Sequence, residues 1–154
     1  MADGGACECG SARPCVDTWY EALAQEHQDP EMATWHAPLV CNFVLQHPSR
    51  NKERFADVQF RLLQFYLDRG VTAVNRLARH QVARNKSGGP GYDMRPLQPY
   101  RALPHRDSVP RFALGIPDLR DADGGFVGDG HPAYGARMRM LSEATIAGYL
   151  ESES

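Results

Sequence analysis

Apolar positions recur at three- and four-residue spacing along most of the chain, the period of an amphipathic helix. Val16, Trp19, Tyr20, Leu23 and His27 form one such stripe on a first helix over about residues 16–26. Asp29-Pro30-Glu31 is a strong helix start, with a capping side chain, a proline at the first helical position and an acid behind it. The second helix runs to Gln46 on a stripe of Trp35, Leu39, Val40, Phe43 and Val44. His47-Pro48 stops it, because proline disfavours helical geometry in the residue before it. Pro38 lies inside and either kinks this helix near Thr34 or marks where it really begins. A third helix over about residues 51–69 carries Phe55, Val58, Leu62, Phe65 and Tyr66, with Gly70 as its C-terminal cap. Thr72 caps a fourth that reaches Lys86, where Ser87-Gly88-Gly89-Pro90-Gly91 breaks it. A last helix, about residues 132–151, buries Met138, Leu141 and Ile146.

This pattern predicts an all-α chain: a compact bundle of about four to five helices forming one domain over residues 1–154. Residues 1–15 are a Cys-rich loop, 16–86 the helical core, 87–130 an irregular Pro/Gly-rich connection and 131–151 the C-terminal helix. Asp123-Gly124-Gly125 suggests a short hairpin within the connection. Asp121-Ala122-Asp123-Gly124 resembles part of a calcium loop but lacks the acids such a cage needs at its ends, so it reads as a polar turn.

Composition, 42% apolar and 23% charged, is that of a globular protein with a real core. No apolar run reaches the roughly 18–20 residues that span a bilayer. The start, Met-Ala-Asp-Gly-Gly, has no basic n-region or apolar h-region, so the expected compartment is the cytoplasm, where thiols stay reduced. Charge is uneven. Arg76, Arg79, Arg84, Lys86, Arg95, Arg101, Arg106 and Arg111 face only Asp93 and Asp107 in the same segment, against a net charge of −2 for the chain. This basic stretch between Arg76 and Arg111 offers a surface for an anionic ligand or nucleic acid, but no nucleic-acid-binding motif accompanies it. The commoner role of such a run is a solvated face.

The chemistry lies at the N-terminus. Cys7, Cys9 and Cys15 crowd the first fifteen residues, and His36 and His47 follow. Thiolate and imidazole together suit zinc. Eleven residues separate the histidines, roughly 16 Å along a helix axis, so one metal cannot hold both on an unbroken helix. The economical set is Cys7, Cys9, Cys15 and His36, with His47 as the substitute fourth ligand. Cys9 precedes Gly10, whose small size lets backbone amides turn toward the thiolate. Cys41 falls off the apolar stripe and reads as a small buried hydrophobe.

The stretch from Cys15 to Pro48 resembles a family of small bacterial proteins described as a domain of unknown function. The matching residues are Cys9-Gly10, Cys15, Glu21, Leu23, Ala24, Glu26, Asp29-Pro30, His36 and Gln46-His47-Pro48, with a looser match to Asp68-Arg69-Gly70 and His131. The family's Cys-x-x-Cys-Gly is here one residue shorter. The resemblance implies that the cysteines, His36 and His47 belong together; it implies no activity.

Two functions follow from a metal here. A closed zinc shell fastens the loop to the helices, in an accessory protein that binds a small molecule or a partner protein. Alternatively, an open position activates water in a hydrolase- or lyase-type enzyme, with Glu21, Glu26 or His47 as candidate catalytic groups. The sequence leaves enzyme status open. His47, His105 and His131, each beside a proline, offer a weaker second grouping. Motifs for nucleotide phosphates, zinc peptidases and serine hydrolases are absent.

Overall fold

The computed structural model describes residues 7–10, 15–50, 53–86 and 93–151. Among these residues five α-helices follow one another: α1 (Cys15–Gln28), α2 (His36–Gln46), α3 (Glu53–Arg69), α4 (Val71–Lys86) and α5 (His131–Glu151). The architecture is an all-α bundle with the Cys-rich turn packed on the helices. No helix among the described residues is long and apolar enough to cross a membrane.

Helix α2 lies at the centre, packed against α3, α4 and α5. It contains no acidic, Lys or Arg residue, and from Pro38 to Gln46 every residue except Val40 is buried. A helix buried on all sides has no polar face to expose. Residues Met32–Trp35 form a separate 3-10 turn, and the chain leaves helical geometry at Trp35 (φ −95°, ψ 17°) before α2 begins. Of the two readings of Pro38, the late start therefore holds. The proline sits in the first turn of α2, where its missing N–H needs no partner.

In α1 and α3 the buried faces are turned by about one residue from the stripes of large apolar side chains. In α1 Cys15, Thr18, Ala22 and Glu26 are buried, Val16, Trp19 and Leu23 are half-buried, and Tyr20 and His27 are exposed. Small residues allow close approach, and the large ones flank the contact. In α3 Ala56, Phe60, Leu63 and Tyr66 point inward while Val58, Leu62 and Phe65 are half-buried; the side chain of Phe55 lies outside the described residues. Gly70, at φ +90°, donates its N–H to Tyr66 O at 2.8 Å and closes α3 as expected.

Helix α5 is fixed to α2 by buried polar bonds. Asn42 Nδ2 donates to Ser142 Oγ and to Pro38 O, both at 2.9 Å. Gln46 Nε2 donates to Thr145 Oγ1 at 2.8 Å and to Leu114 O at 3.0 Å. Tyr149 OH reaches Leu45 O at 2.5 Å. At the other end of α5, His131 Nε2 lies 2.8 Å from Asp29 Oδ2, while Asp29 Oδ1 accepts from the Met32 amide.

The connection between α4 and α5 contains two 3-10 turns, Arg95–Leu97 and Ile116–Leu119, and no strand among its described residues, so the expected hairpin is not formed. The Asp121 carboxylate instead accepts from the amides of Asp123, Gly125 and Gly128 at 2.9, 3.0 and 2.7 Å. This is the polar turn, with the carboxylate used by the backbone. Arg137 ties it to α5 through Asp129 and the carbonyls of Leu119 and Phe126. Farther back, residues 111–112 cross α5 so closely that a Cβ at Gly148 would stand 2.6 Å from Phe112 Cδ1 and 2.9 Å from Arg111 O.

Two outcomes follow. Gly148→Ala should destabilise the fold by about 1–3 kcal/mol despite alanine's higher helix propensity, read by denaturant unfolding. The Gly128, Asp123 and Gly125 amides hold the Asp121 carboxyl below the usual range. Its stabilisation is thus present above the unfolded value of about 3.9 and lost as pH falls through the lower folded value. Asp121→Asn should lower the melting temperature at pH 7, with a deficit that shrinks toward pH 3; a deficit equal at both pH values would contradict this.

Candidate metal centre

Four donors converge where the N-terminal turn meets the start of α1 and the end of α2. Cys7 Sγ, Cys9 Sγ, Cys15 Sγ and a ring nitrogen of His47 all lie within 4.8 Å of one another. Cys9 Sγ is 3.5 Å from Cys15 Sγ, and Cys7 Sγ is 3.1 Å from His47 Nε2. Cys9, Cys15 and His47 are almost fully buried, and Cys7 is partly exposed.

Each donor has a local reason for its place. The Gly10 amide donates to Cys7 O at 2.9 Å, and Gly10 adopts φ +94°, folding residues 7–10 so that Cys7 and Cys9 both reach the cluster. Glu8, between them, accepts from Ser49 Oγ at 2.6 Å and binds this turn to the chain just beyond His47. Cys15 is the first residue of α1, where the helix dipole favours a thiolate. His47 follows the last residue of α2, its ring tilted against Phe43 (centroids 4.5 Å apart), which in turn stacks on Trp19 at 4.3 Å.

The tautomer of His47 follows from its neighbours. Nδ1 is 2.7 Å from Phe43 O, which only accepts, so Nδ1 carries the hydrogen and Nε2 presents its lone pair to the sulfurs. Burial lowers the affinity of this imidazole for a second proton, but the Cys9 side chain and the Phe43 carbonyl raise it by more. The Cys15 thiol is pushed far up, first by its bond with Cys9, then by burial and by the charge the neighbouring sulfurs would carry. Without a cation the Cys15 thiol holds its proton; a metal must displace it.

The donor set fits a tetrahedral ion. Sulfurs about 2.3 Å from zinc stand about 3.8 Å apart, so the 3.5 Å between Cys9 and Cys15 needs to open by only a few tenths of an ångström. Three thiolates and one neutral imidazole leave such a site with one negative charge. Arg111 approaches this turn, its Nη1 3.3 Å from where a Gly10 Cβ would be. The cluster can coordinate a metal.

The other candidates lie elsewhere. His36, the preferred fourth donor on sequence grounds, is not in the group: its Nδ1 lies 2.7 Å from Glu26 Oε1. Glu21 is exposed and accepts from Arg120 at 2.9 and 3.2 Å. His105 faces Asp107 and His131 faces Asp29, so these two histidines do not assemble with His47 into a second site. Cys41 is buried with its thiol donating to Gln59 Oε1 at 3.0 Å. In the basic segment, Arg95 pairs with buried Asp93, and Arg106 donates to Tyr149 O. A cavity of about 500 Å³ adjoins the Cys-rich turn, lined by Glu8, Pro48, Ser49, Leu103, Arg106 and Tyr149. The sequence does not reveal it, because its walls come from five separate segments.

Gly10→Ala should cost about 1–2 kcal/mol, since an L side chain is strained at positive φ, and should weaken metal retention against a chelator. Unchanged melting and unchanged chelator resistance would contradict the role given to this turn.

Comparison with known proteins gives one result. The model of a family of unknown function, DUF5946, matches residues 4–149. No curated protein and no solved structure matches the chain. A match over nearly the whole length shows that the chain belongs to the DUF5946 family, described as a family of unknown function.

Proposed function

We propose that this is a cytosolic zinc-binding protein in which Cys7, Cys9, Cys15 and His47 hold one zinc ion and so fasten the N-terminal turn to α1 and α2. One observation carries the reading: a Cys3His set with all four donor atoms within 4.8 Å, the His nitrogen already in the ligating tautomer. Three sulfurs and one imidazole favour zinc over hard cations. Reduced thiols favour a cytosolic setting. Four protein donors fill a tetrahedral shell, which supports a structural metal in an accessory protein, with the adjoining cavity as a place for a small ligand or a partner's side chain.

The competing hydrolase- or lyase-type reading needs an open position. Cys7, the one donor that is not buried, is where such a position would form. Glu21 and Glu26 are engaged with Arg120 and His36, which weighs against either as a base at the metal.

Elemental analysis tests the proposal. About one zinc per chain is expected. Cys15→Ser and His47→Ala should each lose it and melt at least about 10 °C lower, since structural zinc contributes several kcal/mol to a fold of this size. His36→Ala should keep its zinc. Full zinc content in Cys15→Ser and His47→Ala would refute the ligand set. Full content in Cys7→Ser, with a metal-bound water, would move the reading to the open-site enzyme.

A further inference from the structure

The other histidine of α2 is set into a different surface. Between α1 and α2 runs a groove of about 390 Å³ whose walls include Trp19, Tyr20, Leu23, Val40 and Phe43, with His36 among them. Trp19 is held in place by its stack on Phe43, and Tyr20 stands 63% exposed at the rim. Apart from His36 these walls are aromatic and aliphatic.

His36 does not behave as one more wall residue. Its side chain is 54% exposed, yet its Nδ1 lies 2.7 Å from a carboxylate that is only 8% exposed. The second oxygen of that carboxylate, Glu26 Oε2, is buried with no hydrogen-bond partner. A buried carboxylate with one oxygen unsatisfied is costly, and the imidazole is what compensates it. Glu26 therefore favours the imidazolium; its bond to His36 raises the affinity of the ring for the proton by more than burial lowers it. With Nδ1 committed to Glu26, Nε2 is the nitrogen left for other partners, and no described residue bonds to it. None of the residues lining the groove is an acid.

A simple core-to-surface ion pair accounts for the Glu26 contact, but not for the placement of His36 among the walls of an aromatic groove. We propose that the α1–α2 groove is a binding site for a small aromatic carboxylate, its ring packed against Trp19 and Tyr20 and its carboxylate accepting a hydrogen bond from His36 Nε2. The anion completes a chain of alternating charge, from ligand carboxylate to imidazolium to Glu26, in which each donor meets an acceptor. An aromatic body suits the Trp and Tyr faces, where ring–ring contact adds to area burial. The site extends the ligand-binding part of the function proposed above and does not require the metal to be zinc.

The test uses 2-naphthoate and its neutral isostere 2-naphthamide, titrated into the full chain and followed by Trp fluorescence and by NMR shifts of groove residues. Naphthoate should bind saturably and about tenfold or more tighter than naphthamide, because a charge-assisted bond is lost in the amide. In His36→Gln that preference should vanish while metal content stays near wild type. Trp19→Ala should weaken both ligands together. Equal affinities for the two compounds in the wild-type chain, or no saturable binding, would overturn the proposal without any variant having to fold. A preference that survives His36→Gln would overturn it as well. Metal content measured on the same samples keeps a failure of the zinc reading separate from a failure of this one.

Discussion

Helix α2 has no acidic, Lys or Arg side chain and is buried from Pro38 to Gln46 except at Val40, and α3, α4 and α5 pack around it. Its polar side chains must find partners inside the protein, because water is excluded. Asn42 and Gln46 find them on α5, in Ser142 and Thr145, which fixes the rotation of α5 against α2. Gln46 also donates to the carbonyl of Leu114, which draws the segment around Arg111 across the bundle toward the N-terminal turn. The helix thereby organises layers that are far apart in sequence.

Its two ends carry two histidines, and the same residue type is given different partners by its surroundings. At the start, His36 is half exposed and pairs with the buried carboxylate of Glu26. At the end, His47 is buried, donates from Nδ1 to a carbonyl of its own last turn, and offers Nε2 to sulfur. The Trp19–Phe43–His47 stack runs along the α1–α2 contact, so the aromatic groove and the cysteine cluster share structural support.

The helices were largely legible in the sequence, because period, caps and breakers act locally: Gly70 closes α3 as its residue type requires, whereas the expected start at Asp29 gives only a 3-10 turn ahead of α2. The rotation of α1 was not, because Thr18 and Ala22 are buried by close approach, a tertiary effect that the larger Trp19 and Leu23 mask. The cysteines and a histidine were legible as a metal-type constellation from residue type alone. Which histidine joins them depends on where α2 begins and on Glu26 having taken His36, and both are decided by packing. The Glu26–His36 pair itself spans two helices at ten-residue separation across a turn, a contact that no helical periodicity predicts.

The central claim is that three sulfurs and the Nε2 of one histidine hold the metal. X-ray absorption at the metal edge of the purified protein reads that shell directly. The account predicts zinc with three sulfurs at about 2.3 Å and one nitrogen at about 2.0 Å, and no oxygen donor. A shell with two or fewer sulfurs, or with oxygen in the fourth position, would contradict it.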